Sequence, residues 1–159
     1  IDFSKDGRYL QCSTQAFELV FFDLSTLVCL EEKDARHIAN VPWSTFTSLL
    51  GWDVQGIWPL QSQLDDVNSV TRSHKGTYLA TAEETGLVKV FQYPCVGGGI
   101  DSDGQIHRRP DSVQVTGHGG KVVQTQWLAG DGRLISAGGE DLSCFVWKVT
   151  PIAAAASNQ

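Results

Sequence analysis

The residues of this chain whose types and spacing could do chemistry fall into a few groups. His118 and Asp141 could form part of an acid–base relay. Such a relay becomes catalytic only with an activated nucleophile within hydrogen-bond reach. No serine or cysteine nucleophile follows from the pattern, so a buried structural pair is the better reading and no catalytic residue is assigned. Gly117-His118-Gly119-Gly120-Lys121 has the glycine content of a phosphate-binding loop. It lacks the Ser/Thr after the lysine and the spacing of the first glycine, and it leads into a strand rather than a helix. Asp101-Ser102-Asp103-Gly104 resembles a calcium loop but offers too few oxygen ligands at the right steps. Cys12, Cys29, Cys95 and Cys144 show neither CxxC spacing nor histidines at zinc-site intervals. Free thiols are expected, with no metal and no cofactor.

Partner binding is the alternative chemistry. Glu83, Glu84, Glu140 and Asp53 fall in turns expected on one face, either as a negative patch for a basic segment or as solvated turns. Trp52 and Trp58 either anchor a partner, as buried aromatics do in interfaces, or staple their segment to the body as core. His107-Arg108-Arg109 is the one basic cluster and reads as a loop tip.

The elements that must position these residues are strands. Of the 159 residues, 42% are hydrophobic and 19% charged, with 16 glycines and no methionine, as in a globular all-β protein with many tight turns. The net charge of −6 removes the bulk electrostatic grip needed for nucleic acid, anionic lipid or another acidic surface. No apolar run approaches the roughly 20 residues that span a bilayer. Ile1-Asp2-Phe3 reads as the end of a strand, so an excerpt from a longer chain is expected.

Three stretches align without gaps: Phe3 to Leu24, Arg72 to Tyr93, and Leu128 to Val149. Each has a turn ending in glycine (Gly7, Gly76, Gly132), an apolar strand, a polar turn, and a longer strand closing on Phe22, Phe91 or Trp147. Repeated strand–turn–strand units of this length are the mark of propeller blades. The expected fold is therefore an all-β, WD-repeat β-propeller fragment. It comprises about three atypical four-stranded blades, the last lacking its own outer strand. The expected boundaries are a first blade at 1–50, an insertion at 51–66, a second blade at 67–116 with a long 94–111 loop, a third blade at 117–150, and a tail at 151–159. The missing fourth strand is expected from elsewhere in the parent chain.

The third copy is the most diagnostic. Gly117-His118 precedes its first strand, Asp141 sits in its second turn, and Trp147 ends its third strand. In WD-repeat blades His, Asp and Trp converge with a Ser or Thr in a buried hydrogen-bond network. Here the gapless alignment puts Ala137 at the fourth position, so the network is expected to be incomplete. The aligned positions in the other copies, Cys12, Ala16 and Phe22, then Thr81, Thr85 and Phe91, depart further.

Gly56-Ile57-Trp58-Pro59, Asp66 to Val70, Arg72-Ser73-His74, Tyr78 to Thr81, Gly86 to Phe91, Tyr93-Pro94-Cys95 and Leu134 to Trp147 run in an order that resembles the echinoderm microtubule-associated protein-like family. They cover nearly the whole chain except the Gly97–Pro110 loop and the tail. The resemblance implies the end of the second of two tandem propellers, with tubulin or microtubules, other microtubule-associated proteins and the remaining blades as partners. It implies a cytoplasmic, cytoskeletal location, including spindle and ciliary or axonemal arrays, and no enzyme activity. Lattice affinity in that family leans on a basic region ahead of the propellers, so these acidic 159 residues alone are expected to bind microtubules poorly. The runner-up is a general scaffold or adaptor propeller in signalling or ubiquitin-ligase complexes.

Overall fold

The computed structural model of the protein describes residues 1–38, 41–58, 66–97 and 110–150. The 101–104 calcium-like segment, the basic cluster at 107–109, the 151–159 tail, and parts of the 51–66 and 94–111 segments lie outside these residues.

Eleven strands are described: β1 (Asp2–Phe3), β2 (Tyr9–Ser13), β3 (Leu19–Asp23), β4 (Val28–Cys29), β5 (Val67–Arg72), β6 (Tyr78–Glu83), β7 (Val88–Gln92), β8 (Ser112–Val115), β9 (Val122–Trp127), β10 (Arg133–Gly138) and β11 (Cys144–Lys148). They make two four-stranded antiparallel sheets, β1-β2-β3-β4 and β5-β6-β7-β8, and a three-stranded sheet, β9-β10-β11. This is the expected architecture of part of a WD-repeat propeller, with the three sheets as blades. The helical elements described are α1 (Glu32–Ala35) and two 3-10 turns, Arg36–Ile38 and Trp52–Ile57.

Alternation explains the strands. Along β11 Cys144, Val146 and Lys148 face out while Phe145 and Trp147 are half-buried, the period-two pattern of a sheet with one packed face. β6 differs, being buried on both faces from Leu79 to Glu83, as befits the middle of the middle blade.

Register corrects one expectation. Leu134 pairs with Trp147, Leu79 with Phe91, and Leu10 with Phe22. The first turns are equal in length, Phe3 pairing with Leu10, Arg72 with Leu79 and Trp127 with Leu134, so the third blade differs by one residue more in its second turn. Its first turn is closed by Asp131 N–H to the Leu128 carbonyl (3.0 Å), matching Gly76 to Ser73 and Gly7 to Ser4 (2.9 Å each). The left-handed residue there is Asp131 (φ 60°), not Gly132, where the other blades use Gly7 (φ 71°) and Gly76 (φ 67°). An aspartate tolerates this conformation better than most side chains. A gapless alignment anchored on Trp147 therefore displaces everything ahead of the second turn by one residue.

The blades meet in two ways. Between the second and third, Trp127, Val122 and Leu134 pack directly with Ala80, Ala82 and Val88. Between the first and second, the buried cluster contains Phe21 from one blade and Val67, Val70, Leu79 and Phe91 from the other. Trp43, Phe46, Val54 and Ile57 of the intervening segment complete it.

Candidate functional site

The third blade holds the densest polar arrangement. His118, whose side chain is fully buried, places Nδ1 2.9 Å from Asp141 Oδ2. Its Nε2 lies 2.7 Å from Ser136 Oγ. The Trp147 indole N–H donates to the same oxygen at 2.7 Å. The network is thus complete, and its fourth member is Ser136, not Ala137. The one-residue register shift is the reason. Ser136 stands opposite Phe145, at the level of Thr81 opposite Lys89 and Cys12 opposite Val20.

Donor logic constrains the protons. An indole nitrogen only donates and an ionised carboxylate only accepts. Trp147 therefore gives to Ser136, His118 Nδ1 faces the Asp141 carboxylate as a donor, and His118 Nε2 and the Ser136 hydroxyl share the remaining bond. Asp141 also accepts from the backbone N–H groups of Gly119 (3.0 Å) and Ser143 (3.1 Å). Burial would raise its pKa, but the bonds from Gly119, Ser143 and His118 outweigh that and hold the carboxyl well below the usual range. Phe145 closes the site edge-on against His118, centroids 4.7 Å apart.

Serine, histidine and aspartate in sequence resemble a hydrolytic triad. Two features set this site apart. Ser136 is 0% exposed, and its oxygen already accepts the Trp147 proton, so no substrate carbonyl can reach it. The arrangement is a clamp that ties the loop before β9 to β10 and β11. Gly138 lies against it: a Cβ there would sit 2.6 Å from His118 Nδ1.

In the second blade the corresponding space holds a different solution. Glu83 and Lys89 form an ion pair at 2.5 Å, with side chains 6% and 10% exposed, and Thr81 Oγ1 reaches Glu83 at 3.5 Å. Glu83, expected in an exposed negative turn, is therefore buried and committed. Glu84 is exposed, accepting from Asn68 Nδ2 at 3.0 Å, with Lys121 4.0 Å away. Glu140 is also exposed and lies against Gly120. Glu84 and Glu140 thus flank the Gly119–Lys121 loop together.

Asp53 does not join them. β7 leaves the Glu83–Leu87 turn at Val88 and ends at Gln92. Tyr93 and Cys95, which hold Asp53, therefore lie at the opposite end of the sheet. The Tyr93 hydroxyl donates to Asp53 Oδ2, and Cys95 N–H donates to the Asp53 carbonyl at 2.7 Å. Burial, then the Asp53 carboxylate, push the Tyr93 phenol up to about 12. Trp58 donates its indole proton to the Leu49 carbonyl at 3.2 Å. Trp52 stacks on Phe21 (centroids 6.4 Å, 16° between planes) and stays 45% exposed. Among the described residues no group of three or more His, Cys, Asp or Glu side chains could hold a metal ion.

The segments singled out by resemblance meet physically. Gly56 of the Gly56–Pro59 segment donates its N–H to the Cys95 carbonyl at 2.8 Å. A Cβ there would sit 2.6 Å from the Pro110 ring, so only glycine fits. The family model for the echinoderm microtubule-associated protein second beta-propeller matches residues 1–149. The chain belongs to this family. It is 35% identical over 149 residues to the 77 kDa echinoderm microtubule-associated protein of Lytechinus variegatus, covering 94% of this chain and 21% of that protein. Over the same share of the chain it is 32% identical to echinoderm microtubule-associated protein-like 3 of Homo sapiens and 29% identical to the human protein-like 4, covering 15% and 14% of those proteins. The chain spans about a fifth or less of the length of these relatives.

Two further residues of this family member were not singled out from sequence. Asp131 reaches across to the second blade, accepting from His74 N–H (2.9 Å) and Lys75 N–H (2.8 Å) and meeting His74 Nδ1 at 2.8 Å. Burial opposes its ionisation, but the Lys75 and His74 bonds prevail and lower its pKa. Its place in a Gly-Asp-Gly turn was the available signal. Asp2, fully buried, had none beyond lying next to a strand end.

Proposed function

We propose that this chain is part of a rigid, non-catalytic protein-binding platform in a microtubule-associated propeller. Its partners are tubulin or other microtubule-associated proteins, in a cytoplasmic, cytoskeletal setting that includes ciliary or spindle arrays. The observation that carries this reading is the family match along residues 1–149, with relatives named for microtubule association.

The site chemistry agrees with binding rather than turnover, since the one triad-like group is sealed by Trp147. The net charge of −6 and the exposed pair Glu84 and Glu140 disfavour nucleic acid and anionic membrane as partners. They also disfavour this region as the main grip on acidic tubulin. No described helix is long and apolar enough to cross a membrane. The candidate partner-facing residues are Trp52 at one end of the blades and Glu84 and Glu140 at the other.

Affinity capture with the full-length parent chain tests the proposal. Enrichment of tubulins or microtubule-associated proteins is expected. Enrichment of ligase or kinase subunits without tubulin would replace the reading with a general adaptor role. In co-sedimentation at physiological salt, these 159 residues alone are expected to stay in the supernatant.

A further inference from the structure

Residues 43–58 cross the seam between the first and second blades, and their two ends are held by different means. On the first-blade side Trp43 bridges Ser4, and Ser44 N–H donates to the Phe3 carbonyl at 2.8 Å. The main hold is Asp2, which is 0% exposed. Its Oδ1 accepts from Thr45 Oγ1 (2.7 Å), Thr47 N–H (2.9 Å) and Thr47 Oγ1 (3.1 Å). Its Oδ2 accepts from Ser48 N–H and from Gln11 Nε2, each at 3.1 Å. One carboxylate thus gathers bonds from three residues of the segment, Thr45, Thr47 and Ser48, and one from Gln11 of β2, all through neutral donors.

On the second-blade side the hold is distributed. Arg72 donates N–H to the Phe46 carbonyl (3.1 Å) and its guanidinium to the Trp43 carbonyl (2.6 Å). The same guanidinium lies 5.3 Å from the centre of the Tyr93 ring. Asp53 is tied to Tyr93 and Cys95, Gly56 to Cys95, and Val54 and Ile57 are fully buried. Burial of two such side chains is worth about 1.5–3 kcal/mol each, and no single residue carries the attachment.

We infer that residues 43–58 form a strap with a releasable first-blade end. Asp2 is the catch, and the strap stays with the second blade when the catch is lost. A carboxylate that satisfies several buried donors is costly to remove, because each donor is left unpaired. The cost falls on the donors at 45–48, whereas 51–58 keeps its bonds to Tyr93 and Cys95, and the Trp52–Phe21 stack is the contact of that half which opening must also break. The first blade is thereby set to open away from the strap without the second blade unfolding, a sub-global opening of the kind native proteins show.

Amide hydrogen exchange on the full-length chain tests this with Asp2→Ala and with the milder pair Thr45→Val/Thr47→Val. The expected result is exchange at least about tenfold faster at 44–49 in Asp2→Ala, a fold-change equal to about 1.4 kcal/mol. Amides at 54–57 and in β6 should keep wild-type rates. Unchanged protection at 44–49, or loosening of 54–57 in step with it, would overturn the inference. If Asp2→Ala loses protection throughout β6 and β10, the Thr45/Thr47 pair decides by the same two outcomes.

Discussion

The two seams of this molecule solve one problem differently. Between the second and third blades, inner strands β5 and β9 meet face to face. Trp127 donates to the Thr71 carbonyl (3.0 Å), Thr125 N–H to Ser69 Oγ (3.0 Å), and Asn68 Nδ2 to the Val122 carbonyl (2.8 Å). Between the first and second, the strap supplies Trp43, Phe46, Val54 and Ile57 to fill the space. A repeat protein is held by intrinsic repeat stability plus neighbour interfaces. The comparison teaches that these interface terms need not be equal: one is direct and short-range, the other depends on an inserted element with its own anchors.

The direct seam should be the harder to lose. Trp127→Ala removes a side chain that is 2% exposed, together with its bond to Thr71. A loss of about 3–5 kcal/mol is expected from denaturant unfolding, with β9 and β10 losing exchange protection together. A loss below about 1 kcal/mol would mean that the two blades do not depend on this contact.

Asp131→Asn sharpens the contrast through pH. Asp131 has a lowered pKa in the folded state, so its stabilising contribution is present above the ordinary carboxylate range. It is lost as pH falls through that range and below. The variant is expected to cost about 1.5–3 kcal/mol at neutral pH, the range for hydrogen bonds to charged groups. The gap between wild type and variant should close on acidification. A gap that widens in acid would contradict the assigned role.

Within the third blade, Ser136→Ala leaves the Trp147 N–H and His118 Nε2 unpaired in a buried site, at a cost of about 1–3 kcal/mol. Ala137→Ser, at a half-buried position one residue away, should change stability by no more than about 0.5 kcal/mol. Thermal unfolding of the two variants side by side distinguishes the register seen here from the gapless alignment. The smaller effect belongs to the position that alignment favoured.

That pair also shows where the sequence was legible. Glycine turns, alternating strands and the closing aromatics Phe22, Phe91 and Trp147 repeat strongly enough to reveal three blades and the family. His118, Asp141 and Trp147 could be named because their spacing is distinctive. Ser136 was missed because the second turn of the third blade is one residue longer, so an alignment anchored on Trp147 displaces β10 by one. A slip of one residue in a strand moves every side chain to the other face. Glu83 could not be told from Glu84, since only the fold shows that its partner Lys89 lies across the hairpin. Asp53 looked like a companion of the acidic turns, because sequence does not say at which end of a sheet an insertion docks. The role of Asp2 depends on residues more than 40 positions away, and nothing local announces it.

Native-state hydrogen exchange at three amides tests most directly whether the second and third blades form one rigid body. Thr125 N–H is held by Ser69 across the seam, and His74 and Lys75 N–H are held by Asp131. They are expected to exchange with the same free energy as the central amides of β6 and β10. Exchange of the three at separate, much lower free energies, while β6 and β10 stay protected, would show blades that merely touch and contradict the platform.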